Sequence, residues 1–173
     1  MKFKLTKKQL NYALNLAMQR HDAKHKSFRN KDTELFRNDN KSRMSEKFKV
    51  DFQYMAHFLG VIGELGYSLA TGEAVDENIY AVRDDGQDFE GIEVKTITYM
   101  GAGEPELKIP VYEYDKRQPP KVYVLTRFNS NISEVDVLGK ITRKDFDKCK
   151  KKKQYGIGKP LNYIVPLSKM DEV

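Results

Sequence analysis

Apolar positions at the start of the chain recur at helical spacing. Leu10, Ala13, Leu14, Ala17 and Met18 form one stripe, and Thr6-Lys7-Lys8-Gln9 ahead of them has the form of a capping box. Residues 27–45 lose that period and read as a polar connection with one helical turn around Thr33–Arg37. A second helix is predicted from Phe48 to Ala70, with Phe52, Met55, Ala56, Leu59, Ile62, Gly63, Tyr67 and Ala70 as its buried stripe. Thr71-Gly72 closes it. Gly60, Gly63 and Gly66 weaken this helix and predict the close approach of another backbone.

Beyond residue 72 the pattern is mostly that of strands. Ile79–Arg83 and Ile92–Tyr99 are predicted strands, Leu107–Tyr112 a weak strand or a turn, and Val122–Phe128 an unbroken apolar run suited to a central strand. Ile132–Leu138 follows, then a short helix opening at Thr142. A last strand, Tyr163–Leu167, is placed at an edge by Pro166. Glu90-Gly91 is expected to form a two-residue hairpin turn that pairs Phe89 with Ile92 and Asp88 with Glu93. Asp88, Glu93 and Lys95 then share one face, while Phe89, Ile92 and Val94 turn into a core.

Composition supports a folded chain: 39% of its 173 residues are hydrophobic, with nine Phe and ten Tyr. Cys149 is the only cysteine, which fits a reducing compartment and a small half-buried side chain. No secretory segment opens the sequence, and the Phe58–Ala70 stretch is too short to span a bilayer and carries Glu64. The expectation is an intracellular, cytoplasmic protein. The net charge of +6 is unevenly spread, at +9 in residues 1–50, −9 in 51–120 and +6 in 121–173. Carboxylates that hold a cation inside a surface that holds a polyanion have this distribution.

Glu64 is the second candidate acid, set in Phe58-Leu59-Gly60-Val61-Ile62-Gly63-Glu64-Leu65-Gly66-Tyr67. Either it is buried and paired or metal-bound, or it lies on an exposed face with His57 and Ser68. His21, His25 and His57 lack zinc-ligand spacing, and there is no Walker pattern. Lys150, Lys151, Lys152, Lys153 and Lys159 are candidates for phosphate-backbone contact.

Gly63-Glu64, Asp88-Phe89-Glu90-Gly91 and Ile92-Glu93-Val94-Lys95-Thr96 together resemble the PD-(D/E)XK nuclease superfamily, over roughly residues 48–167. Gln87 stands where that pattern has proline, which leaves Asp84 or Asp85 open as the first acid. The resemblance implies an α/β (α+β) fold, a central mixed sheet flanked by helices with a restriction-endonuclease-like core, placed in residues 46–173; residues 1–45 match no part of that pattern and read from their own periodicity as a helical extension of the same single domain. It implies catalytic roles for Glu64, Asp88, Glu93 and Lys95. It also implies Mg²⁺ or Mn²⁺ on Asp88, Glu93, the Val94 carbonyl and Glu64, with Gln87 and Thr96 in support. DNA is the implied substrate, and a homodimer is left open. The alternatives are a non-catalytic nucleic-acid-binding protein of the same fold or, among enzymes, a Holliday-junction resolvase.

Overall fold

The computed structural model describes residues 1–27, 39–49, 51–79, 87–98, 103–116 and 119–173. Its fold is mixed α+β. A strand β1 (Lys2–Lys4) leads into helix α1 (Lys7–Ser27), followed by α2 (Asp39–Phe48) and α3 (Met55–Thr71). Then come β2 (Ile92–Thr98), β3 (Glu106–Pro110), α4 (Val111–Lys116), β4 (Val122–Asn129), β5 (Glu134–Thr142), α5 (Arg143–Cys149), β6 (Lys151–Gln154) and β7 (Leu161–Pro166). Among the described residues no helix is long and apolar enough to cross a membrane.

The strands form two sheets, in the orders β1-β5-β4-β2 and β3-β7-β6. The first is mixed: β2 runs parallel to β4, while β4–β5 and β5–β1 are antiparallel. Helices α1 and α3 cover one face, where Ala13, Leu16 and Ala17 meet Phe58, Leu59, Ile62 and the strand residues Phe128 and Val135. The second sheet covers the other face, with Leu107, Ile109 and Val165 packed on Tyr123, Leu125 and Ile141. A bulge makes this possible. Thr126 pairs with Val137 but Leu125 pairs with Gly139, so Leu138 is an extra residue in the ladder. The alternation of side chains reverses there, and β5 sends Val135 and Val137 to the helices but Ile141 to the second sheet.

Local chemistry explains the helix boundaries. The capping box is formed, with the Thr6 amide donating to Gln9 Oε1 at 2.9 Å and the Gln9 amide to Thr6 Oγ1 at 3.2 Å. Gly72 ends α3 in the left-handed conformation, φ +82°. α5 starts at Thr142, whose hydroxyl accepts from the Asp145 amide.

Several expectations are corrected. The polar stretch 27–45 is helical over its last part, since α2 begins at Asp39; the expected turn at 33–37 lies outside the described residues. The helix expected from Phe48 breaks first. Asp51 caps a short 3₁₀ turn at Phe52–Tyr54, and α3 starts only at Met55. Val111 and Tyr112 belong to α4, not to a strand. β5 starts at Glu134 and runs on to Thr142. β7 is central to its sheet. Pro166 is tolerated there because it is the last residue of the strand, and the Leu167 amide resumes the contact by donating to Pro105 O at 2.9 Å. Of the expected strand Ile79–Arg83, residues 80–83 lie outside the described residues, and so do Asp84 and Asp85.

The glycines of α3 face side chains, not backbone. A Cβ on Gly63 would stand 1.9 Å from Thr96 Oγ1 and 2.7 Å from Thr126 Oγ1, and one on Gly66 would stand 2.6 Å from Val135 Cγ2. Glycine at 63 is therefore what lets α3 settle on β2 and β4, one residue from Glu64. Gly63→Ala is expected to lower stability by about 1–3 kcal/mol, through overpacking, in urea unfolding followed by circular dichroism.

Candidate functional site

Glu90 and Gly91 form the expected two-residue turn. Ile92 N donates to Phe89 O at 2.9 Å, the Asp88 and Phe89 amides donate to Ile92 O, and Gly91 takes φ +73°. Gln87 fastens the turn, its Oε1 accepting from the Gly91 amide at 2.8 Å. Phe89 and Val94 are buried with Tyr67, Val124 and Val137, and Ile92 packs against them, as the alternation predicts.

Among the described residues β2 is the last strand of its sheet. The Val94 amide points away from β4 and donates to Asp88 Oδ2 at 2.7 Å. A residue's amide and carbonyl leave a strand on the same side, so the Val94 carbonyl also faces this edge. Glu93 and Lys95 pair with Tyr123 and Leu125 and project with them toward the second sheet. Glu93 is buried, and the Lys95 ammonium is 2.6 Å from its carboxylate and 3.4 Å from that of Glu113 on α4. Burial alone would lower the Lys95 pKa, but the two carboxylates outweigh it and hold the ammonium above its ordinary value.

Glu64 is 2% exposed, which disposes of the solvent-facing alternative. Its carboxylate is gripped by Arg20 of α1, with Nη1 at 2.6 Å and Nη2 at 3.0 Å, in the fork geometry that suits a buried acid. The same Arg20 donates to Asp76 O at 2.6 Å. Glu64 thus sits on the helix side of the four-stranded sheet and Glu93 on the other side, with Asp88 at the edge between them. Glu93 and Lys95 share one face as expected, Asp88 turns onto the edge of β2 instead of joining them there, and Glu64 takes the buried, paired alternative.

Asp88 experiences both neighbours. Burial, then the charge of Glu64, pushes its carboxyl up to about 8; Glu93 adds to this, while the Val94 amide and Lys95 act in the opposite direction. On its outer side Asp88 joins Gln87, Phe89, Glu90, Glu73, Ala74 and Asp76 in lining an open cleft of about 510 Å³. Glu93 borders a narrow crevice with Glu113, Tyr114, Tyr123 and Arg143. Arg143 donates to the Tyr123 hydroxyl at 2.7 Å and stacks 3.5 Å above the Tyr114 ring.

The donor set at the β2 edge is one of hard oxygens, two carboxylates and a carbonyl, which suits Mg²⁺ or Mn²⁺. Among the described residues, however, no three His, Cys, Asp or Glu side chains stand grouped to hold a metal ion. Arg20 and Lys95 occupy Glu64 and Glu93.

The remaining candidates separate. Thr96 lies on the α3 face, where Thr126 Oγ1 donates to its hydroxyl at 3.0 Å, so it supports helix packing and not the Glu93 side. Lys150 is bound to Asp147 at 2.5 Å and to the Tyr114 hydroxyl at 2.7 Å, and Lys153 to Glu106 at 3.0 Å. Lys151, Lys152 and Lys159 are exposed. His21 is buried edge-on against Tyr54 and His57; the side chain of His25 lies outside the described residues. Sequence reasoning missed Arg20, Glu113 and Arg143. A buried Glu64 demands a cation, and that demand was the available signal for Arg20.

Two outcomes follow from this geometry. Arg20→Ala leaves Glu64 buried without its partner and is expected to cost about 3–5 kcal/mol in urea unfolding, most of it recovered in Arg20→Met/Glu64→Leu. The second concerns pH. Asp88 binds its proton more tightly in the folded chain than at the ordinary 3.8, so its contribution to stability is complete at low pH. That contribution falls as pH rises toward about 8. In chelator, Asp88→Asn is expected to flatten this part of the Tm-against-pH curve; an unchanged slope refutes the assignment. No protein-family model, curated protein or solved structure matches the chain.

Proposed function

We propose that the chain is a divalent-metal-dependent deoxyribonuclease, with an endonuclease site built on a restriction-endonuclease-like core. One observation carries this reading. The Glu90-Gly91 turn brings Asp88 onto the Val94 amide at the edge of β2, the last strand of its sheet among the described residues, beside the Glu93–Lys95 pair.

Asp88, Glu93 and the Val94 carbonyl are the groups that would hold Mg²⁺ or Mn²⁺, with Glu64 adding negative charge from behind. Such an ion, when bound, offsets charge on the scissile phosphate and acidifies a water. The chain's own contribution is Lys95. Its ammonium stays charged between Glu93 and Glu113, so it acts as a donor and not as a base. It orients the attacking water and stabilises charge that grows on the phosphorus oxygens. Glu113 keeps a second hold on Lys95 if Glu93 is shared with the ion. Glu64, fixed by Arg20, cannot turn away from the edge, which keeps the field at Asp88 negative.

A second reading, a nucleic-acid-binding protein without useful cleavage, is favoured by the lack of a ready three-ligand group among the described residues. Calorimetric titration with Mn²⁺ separates the two, since the nuclease reading requires binding that Asp88→Asn weakens. Activity gives the direct test. On plasmid DNA with Mg²⁺ or Mn²⁺, Glu93→Ala and Lys95→Ala are each expected to lower the cleavage rate by about 10²–10³-fold. Wild-type rates in either variant exclude the proposal.

A further inference from the structure

The hairpin formed by β6 and β7 carries a feature that the site chemistry does not use. Its six-residue connection, Tyr155-Gly156-Ile157-Gly158-Lys159-Pro160, puts a fully exposed Ile157 at the tip. Isoleucine in such a place gains nothing from folding, because it loses no contact with water. The loop is nevertheless built to present it. Lys159 N donates to Gly156 O at 3.1 Å, Gln154 Nε2 donates to Lys159 O at 2.9 Å, and Gly156 and Gly158 on either side take φ +151° and +76°. Tyr155 is braced at the base by its hydroxyl bond to Glu106, with the Lys108 ammonium 4.1 Å and the Lys153 ammonium 4.7 Å from its ring.

The surroundings of the tip are cationic. All four residues of β6 are exposed, and among the described residues Lys151 and Lys152 carry no ion pair. Among the described residues Glu106 is the carboxylate bound at this end of the hairpin, and Lys153 and Tyr155 hold it. An apolar wedge on a short braced loop, with the exposed ammonium groups of Lys151 and of Lys152 (the latter 5.7 Å from the Tyr163 ring) along the supporting strand, has the chemistry of a side chain that enters a base step while lysines hold the phosphates. A membrane is the poorer fit, since one isoleucine buries too little hydrocarbon to anchor a protein.

We propose that this hairpin is a DNA-duplex contact in which Ile157 inserts at a base step and Lys151 and Lys152 neutralise flanking phosphates. The choice of DNA rests on the nuclease reading, and the wedge adds a preference for easily unstacked steps. It also divides the lysine run: Lys150 and Lys153 brace the hairpin, and Lys151 and Lys152 bind.

The test uses the full chain in chelator, where metal-dependent cleavage cannot occur. A fluorescein-labelled duplex reports affinity by anisotropy, and 2-aminopurine placed at a TA step reports unstacking. Wild type is expected to bind and to raise 2-aminopurine fluorescence. Ile157→Ser is expected to lose that rise and to bind at least 5-fold more weakly, with an unchanged Tm because the side chain is exposed. Lys151→Ala/Lys152→Ala is expected to reduce the slope of log K against log salt by about 1.8. The proposal fails if wild type does not bind the duplex or binds only anionic vesicles. It also fails if Ile157→Ser keeps both affinity and fluorescence. Plasmid cleavage by Ile157→Ser with Mn²⁺ distinguishes the two ideas: loss of duplex binding with cleavage chemistry retained concerns the hairpin, whereas inactive wild type that still binds concerns the nuclease site.

Discussion

The ion pair between Arg20 and Glu64 is the constraint on which the arrangement around β2 depends. An ionised carboxylate inside an apolar helix is too costly without a partner. Arg20 provides one from a different helix with both arms of its fork, and a further bond reaches the backbone at Asp76. One guanidinium thereby ties α1, α3 and the segment after α3 to a common point. Tyr12 reinforces the tie two helical turns away, its hydroxyl donating to Glu77 at 2.8 Å. The N-terminal helix is therefore a structural part of the site it borders, and its buried residues belong to the same core as those of α3.

From that anchor the electrostatics of the edge follow. Glu64 cannot leave, Glu93 is fixed by Lys95, and Asp88 is held by a backbone amide that does not neutralise it. Two of the three acids have a cation of their own, and the third is buried, its carboxyl raised first by desolvation and then by the charge of Glu64. That imbalance separates this edge from an ordinary network of surface ion pairs, where each charge is screened and worth little. The exposed pairs on α5, such as Lys148 with Asp145, are of that ordinary kind.

Much of the architecture was legible where a local rule and the global packing agree. The Thr6–Gln9 box, the Gly72 cap, the Glu90-Gly91 turn and the buried run of β4 each carry their own signal. So did the opposite facing of Val94 and Glu93, which follows from alternation alone. What was missed depended on tertiary partners. α2 is too polar to advertise itself, and the break before α3 is decided by Asp51 turning its side chain onto the Gln53 amide. The central place of β7 was hidden because a proline weakens a strand only where its missing donor is needed. Asp88 was expected on one face with Glu93 and Lys95, and it turns to the strand edge because the outward Val94 amide draws its carboxylate there. Glu64 comes from a helix packed on the far side of the sheet, and no spacing in the sequence encodes that side.

Among the described residues β6 is an outer strand of its sheet, and that has one more implication. An exposed outer strand offers unpaired backbone groups to any extended segment that approaches, and sheets guard against such recruitment by crowding the edge with long charged side chains. Lys151, Lys152 and Lys153 sit on that strand. Their mutual repulsion between copies protects the molecule from joining sheet to sheet. Adaptation for tighter or looser grip on a polyanion is therefore not free to proceed by charge removal here, because each lysine lost also removes a guard against aggregation.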